Sequence, residues 1–237
     1  MKKTRTSQTT KTEKIVFFSV MSLMVLSFLW AFGNIFVAPL EYTDEITLIK
    51  NDYILMTTEA LAAIFVLWLP TILEKRWKFD IPSKMHIFVI LFLFAAVFLG
   101  EFRRFHFIVP HWDKMLHIVS GAFLAALGFT IIQTLNDHDI IHMNPLFVAI
   151  FSFSFAMTIG TLWEIYEYAW DVSLNLNMMK YMDEFGNPYV GLAALDDTMK
   201  DLIVDAIGAG SMSIIGYFAV KLDKVWLHDF IIYKQKK

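Results

Sequence analysis

The chain has 237 residues, 57% hydrophobic and 18% charged, with a formal net charge of −3. An ordinary soluble domain carries about a quarter charged residues, so the composition points away from that class, and the net charge gives no reason to expect nucleic acid as a partner. Cysteine is absent, which removes disulfides, thiolate metal sites and cysteine nucleophiles.

The first fourteen residues, MKKTRTSQTTKTEK, form a basic tail. The run that follows, IVFFSVMSLMVLSFLWAFGNIFVAPL, exceeds the ~7–15 residues of a signal-peptide core. It reads as a retained first span, roughly 15–39. Further apolar runs predict spans at about 53–73, 85–100, 114–135, 146–170 and 200–220. Each is near the ~20 residues needed to cross a ~30 Å hydrocarbon core. The predicted fold class is therefore all-α: a polytopic membrane bundle of about six helices with both termini cytoplasmic. One transmembrane domain, 15–220, lies between the basic tails 1–14 and 221–237.

Orientation follows from the positive-inside rule. With the N-terminus inside, most lysines and arginines fall on inner segments. The outer exceptions are Lys50, Arg103, Arg104, Lys114, Lys180 and Lys200. The C-terminal YKQKK is expected to touch anionic headgroups.

The second span holds Glu59, read as a pairing or cavity residue. The third exits through EFRRFHF, which either continues the helix or lies along the interface. The fourth opens with WDKMLHIVSGA, placing Asp113 and His117 at i, i+4 on one face. The loop NDHDIIHMN carries His138 and His142 and reads as an ordinary polar loop. The fifth span leaves through GTLWEIYEYAW, with Glu164 and Glu167 at i, i+3. A long connection, 171–199, contains the turn signal Gly186-Asn187-Pro188 and is long enough to fold over something. The sixth span enters with Asp197, Asp201 and Asp205 in line down one face. Asp113 and Asp197 also suit helix N-caps.

These groups share one end of the bundle and similar depth. At 1.5 Å per residue, His117 lies ~7.5 Å in from Trp112, Glu164 ~9 Å in from Trp170, and Asp205 ~12 Å in from Asp197. An acid at mid-span costs about 2.5–3.5 kcal/mol, so such groups face the bundle interior or water and find partners. Carboxylates and imidazole together suit Mg²⁺, Mn²⁺, Zn²⁺ or Fe. The small residues of spans four and six, including Gly121, Gly128, Gly208 and Gly216, predict that those spans touch, with span five beside them.

The segments WDKMLHIVSG, WEIYE and DDTMKDLIVDAIGA resemble the YjdF-like predicted membrane proteins of bacterial inner membranes, along nearly the whole chain. A looser similarity is to VanZ-like membrane proteins. Asp113, Lys114, His117, Glu164, Asp201, Asp205 and Gly208 match that layout. Asp205 stands where the looser pattern usually has asparagine, and Glu167 where it usually has glutamine. With those departures, the VanZ likeness carries layout and not antibiotic resistance. The closer resemblance implies the fold and a bacterial cytoplasmic-membrane location.

The sequence thus predicts a polar pocket opening to the outer face. In a metal-assisted enzyme acting on a lipid or envelope-associated substrate, His117, Glu164, Asp201 and Asp205 would be metal ligands. Glu167 and Asp113 would be catalytic, with Glu167 as general base. Arg103, Arg104 and Lys114 would hold an anionic head group. The alternatives are a proton- or cation-coupled transporter, or a binding or accessory protein whose charges only fix helix packing.

Overall fold

The computed structural model describes residues 11–42, 47–77, 79–137, 140–183, 185–222 and 233–234. His138 and most of the C-terminal tail lie outside them. The chain forms helices α1 (Lys11–Asn34), α2 (Lys50–Trp77), α3 (Ser83–Leu93, continuing as the π-helix Phe94–Phe102), α4 (Phe105–Ile108), α5 (Trp112–Asp137), α6 (Pro145–Leu174) and α7 (Leu192–Lys221). Among the described residues, six helices are long and apolar enough to cross a membrane, spanning 20 to 30 residues. Their outward faces carry Phe18, Leu29, Phe65, Ile150, Leu162, Ile203 and Ile214, all exposed. That surface suits lipid and would be costly in water.

The spans form two groups of three. Val20 and Met24 of α1 interlock with Ala63 and Leu67 of α2 and with Ile90 and Val97 of α3. On the other side, Ala125, Ala156 and Ala209 bring α5, α6 and α7 together on small side chains. Glycines set the spacing of this second group. A Cβ on Gly121 would meet the Asp205 carbonyl oxygen at 2.7 Å, and one on Gly208 would strike the carbonyl of Ile118. A Cβ on Gly128 would come within 2.9 Å of Ser152 Cα. Small faces of this kind allow close helix approach in lipid, where packing rather than the hydrophobic effect joins helices. The expected contact of the fourth and sixth spans, with the fifth beside them, is the one found.

Two ties gather one end of the bundle. Phe79–Asp80 (β1) pairs antiparallel with Tyr233–Lys234 (β2), returning the C-terminal segment to the α2–α3 turn. The Glu13 carboxylate lies 2.8 Å from His86 Nδ1, joining the starts of α1 and α3. The opposite end holds the α3–α5 and α6–α7 connections.

Local signals set where the helices begin and end. Asn144 caps α6, its side chain accepting from Phe147 N at 3.0 Å, with Pro145 in the first turn. Asn175 ends α6 in the left-handed conformation. The sixth span begins earlier than expected, at Leu192, so Asp197 lies inside the helix and is not its N-cap. The N-cap position is Gly191, at φ 66°. Asp113, too, lies inside its helix, one residue after Trp112.

Candidate functional site

At the end opposite the β1–β2 pair, α5, α6 and α7 converge on His117. Its Nδ1 lies 3.4 Å from Asp205 Oδ2. Its Nε2 lies 3.7 Å from Asp201 Oδ1 and 4.0 Å from Glu164 Oε1. All four side chains are buried. The helical spacing accounts for this: Asp201 and Asp205 are one turn apart on α7, and both face the α5 turn that carries His117. Gly160 makes room, since a Cβ there would run into Asp205 Oδ2.

Lys114 sits beside this hub. Its Nζ bonds Asp197 Oδ1 at 2.5 Å, both Asp201 oxygens at 2.8 Å and Asp113 Oδ2 at 3.2 Å. The lysine thus balances carboxylates of its own bundle. Asp113, His117 and Asp201 each offer a ligand atom, all within 4.8 Å of one another. No described residue gives a hydrogen bond to either carboxylate oxygen of Glu164. The carboxylates of Asp113, Glu164, Asp197, Asp201 and Asp205 outnumber Lys114 and His117 as charge partners. Buried acids in such excess need protons or a cation. The donor set therefore fits a hard or borderline divalent ion.

The hub opens into a cavity of about 340 Å³ between the two groups of helices. His117 and Asp205 lie on its wall, joined by Glu59, Glu101, His106, Asp113, Glu167 and Lys180. The rest of the wall is apolar, from Ala62 and Val66 of α2 through Phe92 and Leu93 of α3 to Leu116 and Phe123 of α5. Phe88 of α3 and Phe123 of α5 stack on each other in that wall, 4.2 Å between ring centroids. The cavity is amphipathic, polar at one end and oily along its length.

His106 and Lys180 escaped the sequence reading, and Glu101 entered it only as a polar group where the third span exits. Glu101 faces inward because α3 ends in π-helical turns, with Arg103 N bonding Phe98 O at 2.9 Å. A π-segment shifts the register of the residues beyond it and recurs at functional sites. Its carboxylate, 6% exposed, lies 3.5 Å from His106 Nε2 and 3.7 Å from Lys180 Nζ. Burial first, and the Lys180 charge second, lower the pKa of His106 below its ordinary value. Burial opposes the charge of Lys180, yet Glu101, Asp113, Glu59 and Glu167 hold its pKa above the ordinary lysine value.

Lys180 arrives on the α6–α7 connection, which folds over the cavity. Asp171, buried at the end of α6, accepts from Met178 N at 2.8 Å and Met179 N at 3.0 Å. Leu176 and Met178 pack against Leu55 of α2. Lys180 follows at φ 48°. Losing a buried acceptor costs about 1–3 kcal/mol. Asp171→Ala is therefore expected to lower stability by that amount and to release this connection, read as faster hydrogen exchange at Met178 and Met179 while α5 and α7 stay protected.

The two arginines expected at a substrate lie off the wall of this cavity. Arg103 is exposed. Arg104, left-handed at φ 57°, lies over the Phe107 ring at 5.1 Å. It borders a separate cavity of about 50 Å³ with Tyr42, Asp52 and Asp183. The break between α3 and α4 turns both arginines away from the main cavity. Glu164 and Glu167 also part company. Glu164 faces His117, whereas Glu167 lines the main cavity and accepts from Trp163 Nε1 at 2.8 Å.

Residues 45–222 match a family described as predicted membrane protein (DUF2238). An uncharacterised protein of Thermotoga maritima is 29% identical over 158 residues, covering 65% of this chain and 74% of that protein. No solved structure matches the chain.

Proposed function

The chain belongs to the DUF2238 family of predicted membrane proteins, and from the cavity we propose its function: a membrane enzyme that acts on the head group of a lipid or envelope-associated amphiphile with the help of a divalent cation. The observation that carries this reading is one continuous cavity with an acid–imidazole hub at its polar end and an aromatic, aliphatic wall along the rest. A packing device needs no such space, and an inorganic cation needs no oily wall. Pockets of roughly 300–1,000 Å³ with few convergent polar groups are the usual form of small-molecule sites.

In this reading Asp113, His117 and Asp201 hold the ion. Asp205 and Glu164, 3.4 and 4.0 Å from His117, complete or orient the ligand set. The ion would polarise the bound head group as a Lewis acid. Glu167, on the cavity wall, is placed to take a proton. Lys114 keeps Asp197 and Asp201 balanced. By the positive-inside rule the termini are cytoplasmic and the hub faces outward, across a bacterial cytoplasmic membrane.

The test is direct. Purified full-length protein is expected to bind a divalent ion, read by elemental analysis and by titration of the stripped protein with Mn²⁺ or Zn²⁺. His117→Ala and Asp201→Asn should each weaken binding by at least the roughly 10–100-fold that loss of an outer-shell partner costs. Protein that neither carries nor takes up a divalent ion would remove the metal. Uptake into vesicles driven by a pH gradient, abolished by Glu164→Ala, would favour a carrier instead; the clustering of acids at one end of the bundle argues against that.

A further inference from the structure

We propose that the cavity selects an amphiphile whose head group carries a positively charged nitrogen beside the oxygen that the ion would polarise, the ammonium seated among Glu59, Glu101, Glu167 and the Oδ1 side of Asp113 and a single alkyl chain lying along the α2–α3–α5 wall. This deepens the reading above and rests on its claim that the cavity is a substrate site.

Charge is the first argument. The polar wall carries the carboxylates of Glu59, Glu101, Asp113, Glu167 and Asp205. Lys180 is its sole lysine or arginine among the described residues. Arg103, Arg104 and Lys114, the cations that would favour a phosphate or carboxylate head, are not on it. With Lys180 and the proposed divalent ion both counted, these five carboxylates still hold the excess charge, so an anionic head would meet like charge in a poorly hydrated space.

Lys180 is the second argument. Its ammonium enters the cavity from a connection that lies outside the spans, and it stops 3.7 Å from Glu101 Oε1. Glu101, Asp113, Glu59 and Glu167 all act on its charge. The chamber therefore already holds one primary ammonium, tethered to the connection that covers it. A substrate amine of the same chemistry would take that seat as the connection shifts.

An unsatisfied wall atom is the third. His106 Nδ1 has no hydrogen-bond partner. The His106 side chain is 9% exposed. With Nε2 turned to Glu101, the neutral ring presents Nδ1 as an acceptor, yet it faces Asp113 Oδ1 at 3.6 Å. Two acceptors at that separation are satisfied by a donor between them, and an ammonium N–H supplies one. The oily wall, with Phe88, Phe92 and Phe123, then distinguishes an amphiphile from a bare inorganic cation. At about 340 Å³ the space suits one chain.

The experiment uses the full-length protein in a sugar-headed detergent, titrated with dodecylammonium, dodecyl phosphate and dodecanol and followed by calorimetry. Dodecylammonium should bind saturably, at least about tenfold more tightly than dodecyl phosphate, the margin that like-charge repulsion readily supplies. Glu101→Gln should erase most of that preference, and Glu59→Gln repeats the test if the first variant does not fold. Lys180→Met should tighten dodecylammonium binding, because the tethered competitor is gone. Equal or tighter binding of dodecyl phosphate, no saturable binding by either ligand, or weaker ammonium binding in Lys180→Met would overturn the proposal. His117→Ala should lose divalent binding and keep the ammonium preference. In the unsubstituted protein, ammonium selectivity without uptake of any divalent ion sinks the metal-assisted reading alone, whereas divalent binding without ammonium selectivity sinks this inference alone.

Discussion

Replacing Lys114 by methionine is expected to lower the unfolding midpoint by on the order of 10 °C, among the largest effects of any single substitution in this chain. Asp201 is 2% exposed, and both of its oxygens bond the Lys114 ammonium at 2.8 Å. Removing one member of a buried pair leaves the other charge uncompensated, which costs about 3–5 kcal/mol. Methionine keeps the stem of the lysine, so the loss reports the charge and not the packing. The converse variant, Asp201→Asn, is expected to cost less, because Lys114 still has Asp197 at 2.5 Å and Asp113 at 3.2 Å. Combined, the two changes should be less damaging than their sum by about 0.5–3 kcal/mol, the coupling expected of groups in contact. Thermal unfolding of the four proteins in one detergent closes this cycle. Strict additivity would mean that something other than Lys114 neutralises Asp201, and repeating the cycle with and without added Mn²⁺ identifies whether that is the metal.

The hub was legible in the sequence for a physical reason. An ionisable group inside an apolar run is costly, so its presence marks an inward face, and helical spacing assigns that face. His117, Glu164, Asp201 and Asp205 lie on long uninterrupted helices, where residue number converts to depth without error. They meet within 4.0 Å. What stayed hidden lies where helical arithmetic stops. Glu101 turns inward because the end of α3 is π-helical, and no composition signal marks that change of register. Arg103 and Arg104 stand at the break after it, where one left-handed residue redirects the chain. Lys180 belongs to a connection whose path depends on the distant anchors Asp171, Leu176 and Met178. Length alone signalled that this connection covers something, but not which side chain it delivers. Asp197 looked like a cap because the helix was expected to start near it. Leu192, Ala193, Ala194 and Leu195 are strong helix formers, and they extend α7 back to Gly191.

Gly208→Leu is expected to disable the site without touching one of its functional groups. Gly208 lies one turn beyond Asp205 on α7, and any Cβ there meets the backbone carbonyl of Ile118, the residue after His117. Backbone cannot rotate aside as a side chain can, so α5 and α7 must separate. Gly121 gives the mirror contact, since a methyl group there would sit 2.7 Å from Asp205 O. Separation lengthens the His117–Asp205 and His117–Asp201 contacts of 3.4 and 3.7 Å. Overpacking of this kind costs about 1–3 kcal/mol or more. The loss of geometry should reduce divalent affinity by a further factor of roughly 10–100, as disrupted ligand orientation does elsewhere. Gly33→Leu is the control, since a Cβ there meets nothing within 4 Å beyond its own helix backbone and chain neighbours. Its gain in helix propensity, below about 1 kcal/mol, makes it neutral to slightly stabilising. Unfolding midpoints and Mn²⁺ titrations of the two variants decide the matter. A Gly208→Leu protein with the native midpoint and native affinity would show that the α5–α7 approach does not hold the hub together, and with it the explanation for why these helices are built on glycine would fall.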